Sequence, residues 1–89
     1  MEIQFVSAPW CKACTALKPE FVAHCKLIGV EPIWINYDEM DEEFQGTIKA
    51  LPTIKVRTDM EWTHYTKDTF TAWKDIVMAY VLKTKTEDF

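Results

Sequence analysis

Ile3-Gln4-Phe5-Val6-Ser7-Ala8-Pro9-Trp10-Cys11-Lys12-Ala13-Cys14 is a short half-apolar run, then a loop, then two cysteines with two residues between them. Ile3 to Val6 reads as a strand, and Ser7-Ala8-Pro9 ends it. From Cys14 onward the pattern changes period. Leu17, Phe21, Cys25 and Ile28 lie four, four and three residues apart, and Gly29 follows as a C-terminal cap. This predicts a helix from Lys12 to Ile28, one element with a bend near Thr15, because Pro19 removes one backbone hydrogen bond inside it. The dithiol therefore sits where the first strand hands over to the first helix, the place where chemistry collects in open α/β sheets.

Further along, Pro32-Ile33-Trp34-Ile35-Asn36-Tyr37 is rich in strand formers. A strand, a helix and a second strand make a right-handed βαβ unit, so the two strands are expected to be parallel. Asp38 to Glu43 is an acidic run, read as charge at the positive end of a short helix that continues through Phe44, Ile48 and Leu51. Leu51-Pro52 stops that helix. Thr53 to Thr58 alternates, with Ile54 and Val56 on one face and Thr53, Lys55 and Arg57 on the other. Asp59-Met60 reads as a tight turn to an antiparallel partner, Glu61 to Thr66. Asp68 or Thr69 caps a last helix through Phe70, Trp73, Val77 and Tyr80, with fraying expected from Lys83. The order is β-α-β-α-β-β-α in a single α/β domain spanning residues 1–89.

Composition narrows the function. With 89 residues and 48% apolar content, one core is expected and a disordered chain is excluded. The formal charge of −4 is the wrong sign for gripping a phosphate backbone, so nucleic acid is not an expected partner. The opening residues lack the basic and apolar regions of a signal peptide and no run is long enough to span a membrane, which together predict a soluble cytoplasmic protein. Three cysteines do not make a disulfide framework. In a reducing compartment a close pair points to catalysis or metal.

At a helix start, Cys11 meets unsatisfied backbone N–H groups that favour its thiolate, while Cys14 lies one turn inward. Cys11 is the expected nucleophile and Cys14 the resolving thiol. Lys12 and Lys18 add positive potential, although exposed lysines here read first as solvated charge. The rival is zinc, with His24 and Cys25 completing four ligands. On one helix, however, Cys14 and Cys25 would be roughly 16 Å apart, against the ~5 Å between two sulfurs on one metal. Cys25 reads as a buried core thiol, His24 as a boundary residue, and Trp34, Trp62 and Trp73 as core. Trp10, beside the dithiol, reads as a shield and docking surface.

Trp10-Cys11-Lys12-Ala13-Cys14, Pro19 inside the following helix, and Leu51-Pro52-Thr53 opening a strand resemble the thioredoxin superfamily over nearly the whole chain. The resemblance is to its minimal, glutaredoxin-sized members, such as small phage-encoded or archaeal redoxins. It implies a thioredoxin-like fold with a four-stranded mixed sheet flanked by helices. It also implies that Pro52 is cis and lies against the dithiol, that the backbone of Leu51 pairs with substrate, and that Trp10, Leu51, Pro52 and Thr53 form the docking surface. The implied activity is disulfide reduction in protein clients such as ribonucleotide reductase or a peroxidase, by a monomer needing no cofactor or metal. Electrons would come from thioredoxin reductase or from glutathione.

The departures are informative. Lys12-Ala13 replaces the Gly-Pro usual between the thioredoxin cysteines. Phe5 occupies the place of the family's buried acid, and Trp34 falls near the lysine that accompanies it. The Gly-Gly and in-motif aromatic of a glutathione site are missing, whereas the short N-terminus is glutaredoxin-like. A glutathione-dependent glutaredoxin and a non-catalytic binding module on the same fold remain the alternatives.

Overall fold

The computed structural model describes residues 1–87. In chain order it contains β1 (Glu2–Ser7), α1 (Lys12–Ile28), β2 (Ile33–Asn36), a 3₁₀ turn (Tyr37–Glu39), α2 (Glu42–Gln45), β3 (Thr53–Thr58), β4 (Glu61–Thr66), a second 3₁₀ turn (Lys67–Thr69) and α3 (Phe70–Glu87). The strands form one mixed sheet in the order β2-β1-β3-β4. β1 and β2 run parallel, while β1 with β3 and β3 with β4 run antiparallel. The predicted order and strand directions are those observed.

Register explains the layers. Phe5 lies opposite both Trp34 and Ile54, Ile3 opposite Val56, and Ile54 opposite Tyr65, so these residues share one face of the sheet. On this face Phe21 of α1 stacks on Phe5 at 4.5 Å and on Trp73 of α3 at 5.2 Å. Cys25, Ile28, Phe70 and Val77 close the same core. The other face carries Gln4, Lys55, Arg57, Trp62 and His64 towards water. Only near the dithiol end is it covered, where Val6, Pro52 and Thr53 are buried.

α1 ends as its sequence predicts. Gly29 takes the left-handed conformation at φ 74°, and Val30 N–H reaches back to the Cys25 carbonyl at 3.0 Å. Pro19 does not divide the helix. The hairpin turn puts both Asp59 and Met60 at positive φ, 50° and 73°, the twist that suits a two-residue connection between antiparallel strands.

Several expectations need correction. The acidic run leads into a single helical turn, Glu42–Gln45, not a helix reaching Leu51. After Gly46 the chain tightens into shorter-range bonds, Thr47 N–H to Phe44 O and Ile48 N–H to Gln45 O. The Thr47 hydroxyl also donates to the Phe44 carbonyl at 2.6 Å, competing with helix continuation. β2 is Ile33–Asn36, shorter than read, because Tyr37 opens a 3₁₀ turn whose Asp38 N–H is capped by the Asn36 side chain.

Trp34 and Trp62 are not core. Each remains more than two-fifths exposed, the first on an edge strand and the second on the open face of the sheet, whereas Trp73 is fully buried as expected. Finally, α3 continues past Lys83 to Glu87, since no glycine or proline there stops it. The cap ahead of it is Thr66, not Asp68 or Thr69: the Thr69 hydroxyl, third residue of the preceding 3₁₀ turn, accepts from Thr66 N–H at 2.8 Å. Whether the end frays concerns residues 88–89, which lie outside the described part. Among the described residues no helix is long and apolar enough to cross a membrane.

Candidate active site

Cys11 is the N-cap of α1, with extended backbone angles (φ −88°, ψ 106°). Its Sγ is disulfide-bonded to Cys14, with 5.3 Å between the two Cα atoms. The same Sγ accepts the backbone N–H of Cys14 at 3.1 Å. Cysteine therefore takes the capping role that serine or aspartate usually fills. In the reduced form that N–H and the helix dipole face the Cys11 sulfur and stabilise it as thiolate. Both cysteines are nearly buried, Cys11 at 7% and Cys14 at 3%, so any molecule that reaches the Cys11 sulfur does so along the surface that adjoins it.

Trp10 forms one wall of that surface. It is 63% exposed, yet its indole N–H donates to both carboxylate oxygens of Asp38, at 3.0 and 3.1 Å. Its ring meets Tyr37 edge-on at 6.5 Å. The 3₁₀ turn after β2 thus holds the loop before α1, and the acidic residue that anchors it is the first of the acidic run. A groove of about 300 Å³ runs from Trp10 past Cys11 to Leu51, with Tyr37, Ile48, Lys49 and Ala50 completing its lining.

Leu51-Pro52 is a cis peptide, as the resemblance implied. Leu51 lines the groove, whereas Pro52 and Thr53, the next two residues, are buried. The Thr53 hydroxyl donates to the Ala50 carbonyl at 2.6 Å. Sheet pairing on both sides begins at Thr53, so the main chain of Leu51 precedes the ladder. The structure thus brings Trp10, Cys11 and Leu51 to one groove, whereas Cys14, Pro52 and Thr53 are buried and do not line it. Tyr37, Ile48, Lys49 and Ala50 were missed. The sequence reads Tyr37 as the end of a strand and the other three as part of a helix; a run of short-range turns before a cis proline is a signal that periodicity does not carry.

On the other side of the dithiol a cleft of about 400 Å³ reaches Cys14. Phe5 and Trp34 line it where an acid and a lysine stand in the family pattern, and Lys18 and Glu39 line it as well. The Lys18 ammonium sits over the Trp34 ring, 5.0 Å from its centroid.

The residues named for zinc do not come together. Cys25 is free and 1% exposed within the core, where burial pushes its thiol up to about 11. The His24 ring packs edge-on against Trp73 at 5.1 Å, and its Nε2 lies 3.2 Å from the Lys74 carbonyl. Among the described residues no group of three or more His, Cys, Asp or Glu side chains is placed to hold a metal.

Neither a protein-family model nor a curated protein sequence matches this chain. Its structure is similar to thioredoxin 1 from the thermophilic eubacterium Thermosipho africanus, with TM-score 0.77 and 15% identity over 96% of this chain and 99% of that one. It is also similar to Fasciola hepatica thioredoxin, with TM-score 0.71 and 22% identity over 86% of this chain and 77% of that one. A third likeness is to Chlamydomonas reinhardtii thioredoxin f2, with TM-score 0.64 and 22% identity over 80% and 72% of the two chains. The strand order and these likenesses together establish that this chain has the α/β fold of the thioredoxin superfamily.

Proposed function

We propose that the chain is a thiol-disulfide oxidoreductase that reduces disulfides in protein clients. The observation that carries this reading is the Cys11 sulfur at the N-cap of α1, held by Cys14 N–H and opening on the groove between Trp10 and Leu51. The Cys11 thiolate attacks one sulfur of a client disulfide, forming a mixed disulfide and expelling the other sulfur as thiolate. Cys14 then loses its proton and attacks Cys11 Sγ, which releases the second client sulfur and leaves the Cys11–Cys14 disulfide. The client gains two electrons and the pair loses two.

An extended client segment fits the groove by pairing with the main chain of Leu51 while Trp10 covers one side. Pro52 and Thr53 follow Leu51 in the chain, buried where β3 begins. The reductant proposed is a thioredoxin reductase-type flavoenzyme rather than glutathione. The short N-terminus does not by itself favour a glutaredoxin, since the Thermosipho africanus thioredoxin and this chain cover each other almost completely. The protein is proposed to act as a monomer in a reducing compartment such as the cytoplasm.

The test follows reduction of a protein disulfide with NADPH plus thioredoxin reductase, and in parallel with glutathione plus its reductase. Turnover with the flavoenzyme is expected, Cys11→Ser should abolish it, and Cys14→Ser should accumulate mixed disulfides visible by mass. A Cys11→Ser protein that still turns over removes the reading, and preference for glutathione makes the protein a glutaredoxin.

A further inference from the structure

The resolving step needs Cys14 to become a thiolate although it is 3% exposed. Burial disfavours the charged form, so something must offset it. Cys14 lines the cleft on the β2 side of α1. Among the described residues lining it, β1 and β2 contribute no charge: Phe5, Trp34 and Asn36 are neutral. The first 3₁₀ turn contributes Glu39, and α1 contributes Lys18.

Lys18 is one helical turn beyond Cys14, at the spacing that puts two side chains on the same face about 5–6 Å apart at Cβ. Its ammonium is steered by Trp34, and that ring is itself fixed edge-on against Phe5 at 5.4 Å and Phe21 at 5.7 Å. The ion pairs among the described residues are Arg57–Glu2 and Lys74–Glu20, so no carboxylate engages Lys18. Lys18 is exposed and Trp34 is 47% exposed, so this cation acts on Cys14 across a hydrated cleft that both residues line, and one partly screened charge gives a modest effect.

We propose that Lys18, held by Trp34, is the positioning residue that stabilises the Cys14 thiolate during resolution of the mixed disulfide, with the proton leaving to water in the cleft. This rests on the oxidoreductase reading. The Cys14 S–H bond breaks and its proton passes to water. The thiolate then forms the S–S bond with Cys11 Sγ as the bond from Cys11 to the client sulfur breaks, and the client leaves as thiolate. Trp34 accordingly steers a cation of α1 while sealing the edge of the aromatic cluster.

The experiment mixes the reduced protein with one equivalent of an aryl disulfide, dithiobis(nitrobenzoate), in a stopped-flow instrument. The first coloured thiolate reports attack by Cys11 and the second reports resolution by Cys14; Cys14→Ser marks the amplitude of the first alone. In Lys18→Met the second release is expected to slow about three- to tenfold near neutral pH, its pH profile moving up by about half to one unit, as for loss of one charge at this range. The first release stays unchanged and Lys18→Arg restores the profile.

Superimposable profiles for wild type and Lys18→Met overturn the proposal, as does equal slowing of both releases, which marks a structural defect. A Glu39→Gln protein that loses resolution while Lys18→Met does not assigns the role to a carboxylate base and overturns it too. A wild-type protein with no second release overturns the oxidoreductase reading itself, a result distinct from all of these.

Discussion

Restoring an acid at position 5 is the obvious way to make this chain resemble a full thioredoxin, and the structure predicts that Phe5→Asp will fail by unfolding. Phe5 is 1% exposed and touches the rings of Phe21 and Trp34, while Phe21 in turn packs on Trp73. Removing a buried phenylalanine side chain costs about 3–5 kcal/mol, and leaving a buried carboxyl without a partner adds about 1–3 kcal/mol even when it stays protonated. The sum is about 4–8 kcal/mol. A chain of 89 residues has only about 4–13 kcal/mol in total. Phe5→Leu keeps most of the volume and should cost no more than about 1.5 kcal/mol. Urea titration of both variants followed by tryptophan fluorescence gives the two differences directly. Phe5→Asp should be largely unfolded or close to it in the absence of denaturant. If it unfolds within about 2 kcal/mol of wild type while Phe5→Leu behaves as stated, the cleft hydrates the carboxylate and the argument from packing is wrong.

Two further expectations concern groups with shifted titration. Cys25, held up near 11 by burial, should be about one part in a thousand thiolate at pH 8. In the oxidised protein iodoacetamide should therefore label it at least about a hundredfold more slowly than in urea; labelling of the folded protein at the unfolded rate would contradict the buried placement. His64 is held below its usual 6.5 by burial and then by the charge of Lys55. The folded state thus resists protonation more than the unfolded chain does, so its stability is complete above the unfolded value and declines as pH falls from about 6.5 through the lower folded midpoint. Lys55→Gln should raise the His64 midpoint part of the way, as read from its ring proton shifts by NMR, and an unmoved midpoint would exclude Lys55 as a cause.

Much of the fold was legible because its signals are local and chemically specific. Alternation placed Ile54 and Val56 on the core face and Lys55 and Arg57 on the open one, as the register shows. Gly29 marked the end of α1 because a left-handed residue was needed there. What sequence periodicity misjudged depends on what lies across the sheet. Trp34 and Trp62 have the size and apolarity of core residues, but one is on an edge strand and the other on a face that the long helices leave open. Each is instead accompanied by cations, Lys18 over Trp34 and Lys55 and Arg57 beside Trp62. Likewise Phe44, Ile48 and Leu51 keep helical spacing although the chain between them turns repeatedly, because an eight-residue stripe cannot outweigh Gly46, Thr47 and the constraint that Pro52 places on its predecessor.

The dithiol was readable from spacing and Trp10 and Leu51 from the resemblance, but the Asp38 anchor of Trp10 and the seating of Lys18 over Trp34 were not, because both depend on contacts across the fold. On one side of the dithiol lies the groove of Trp10, Cys11 and Leu51, whose Trp10 wall is anchored through Asp38. On the other, Cys14 faces a cleft with a single cation and a single carboxylate among its described lining residues, Lys18 and Glu39. In the proposed mechanism the attacking sulfur draws on the backbone amides of α1, which any sequence at that position supplies, whereas the resolving sulfur draws on side chains particular to this chain. It follows that substitutions along the groove should change which clients are reduced, while substitutions at Lys18 should change how fast, and at what pH, every client is released.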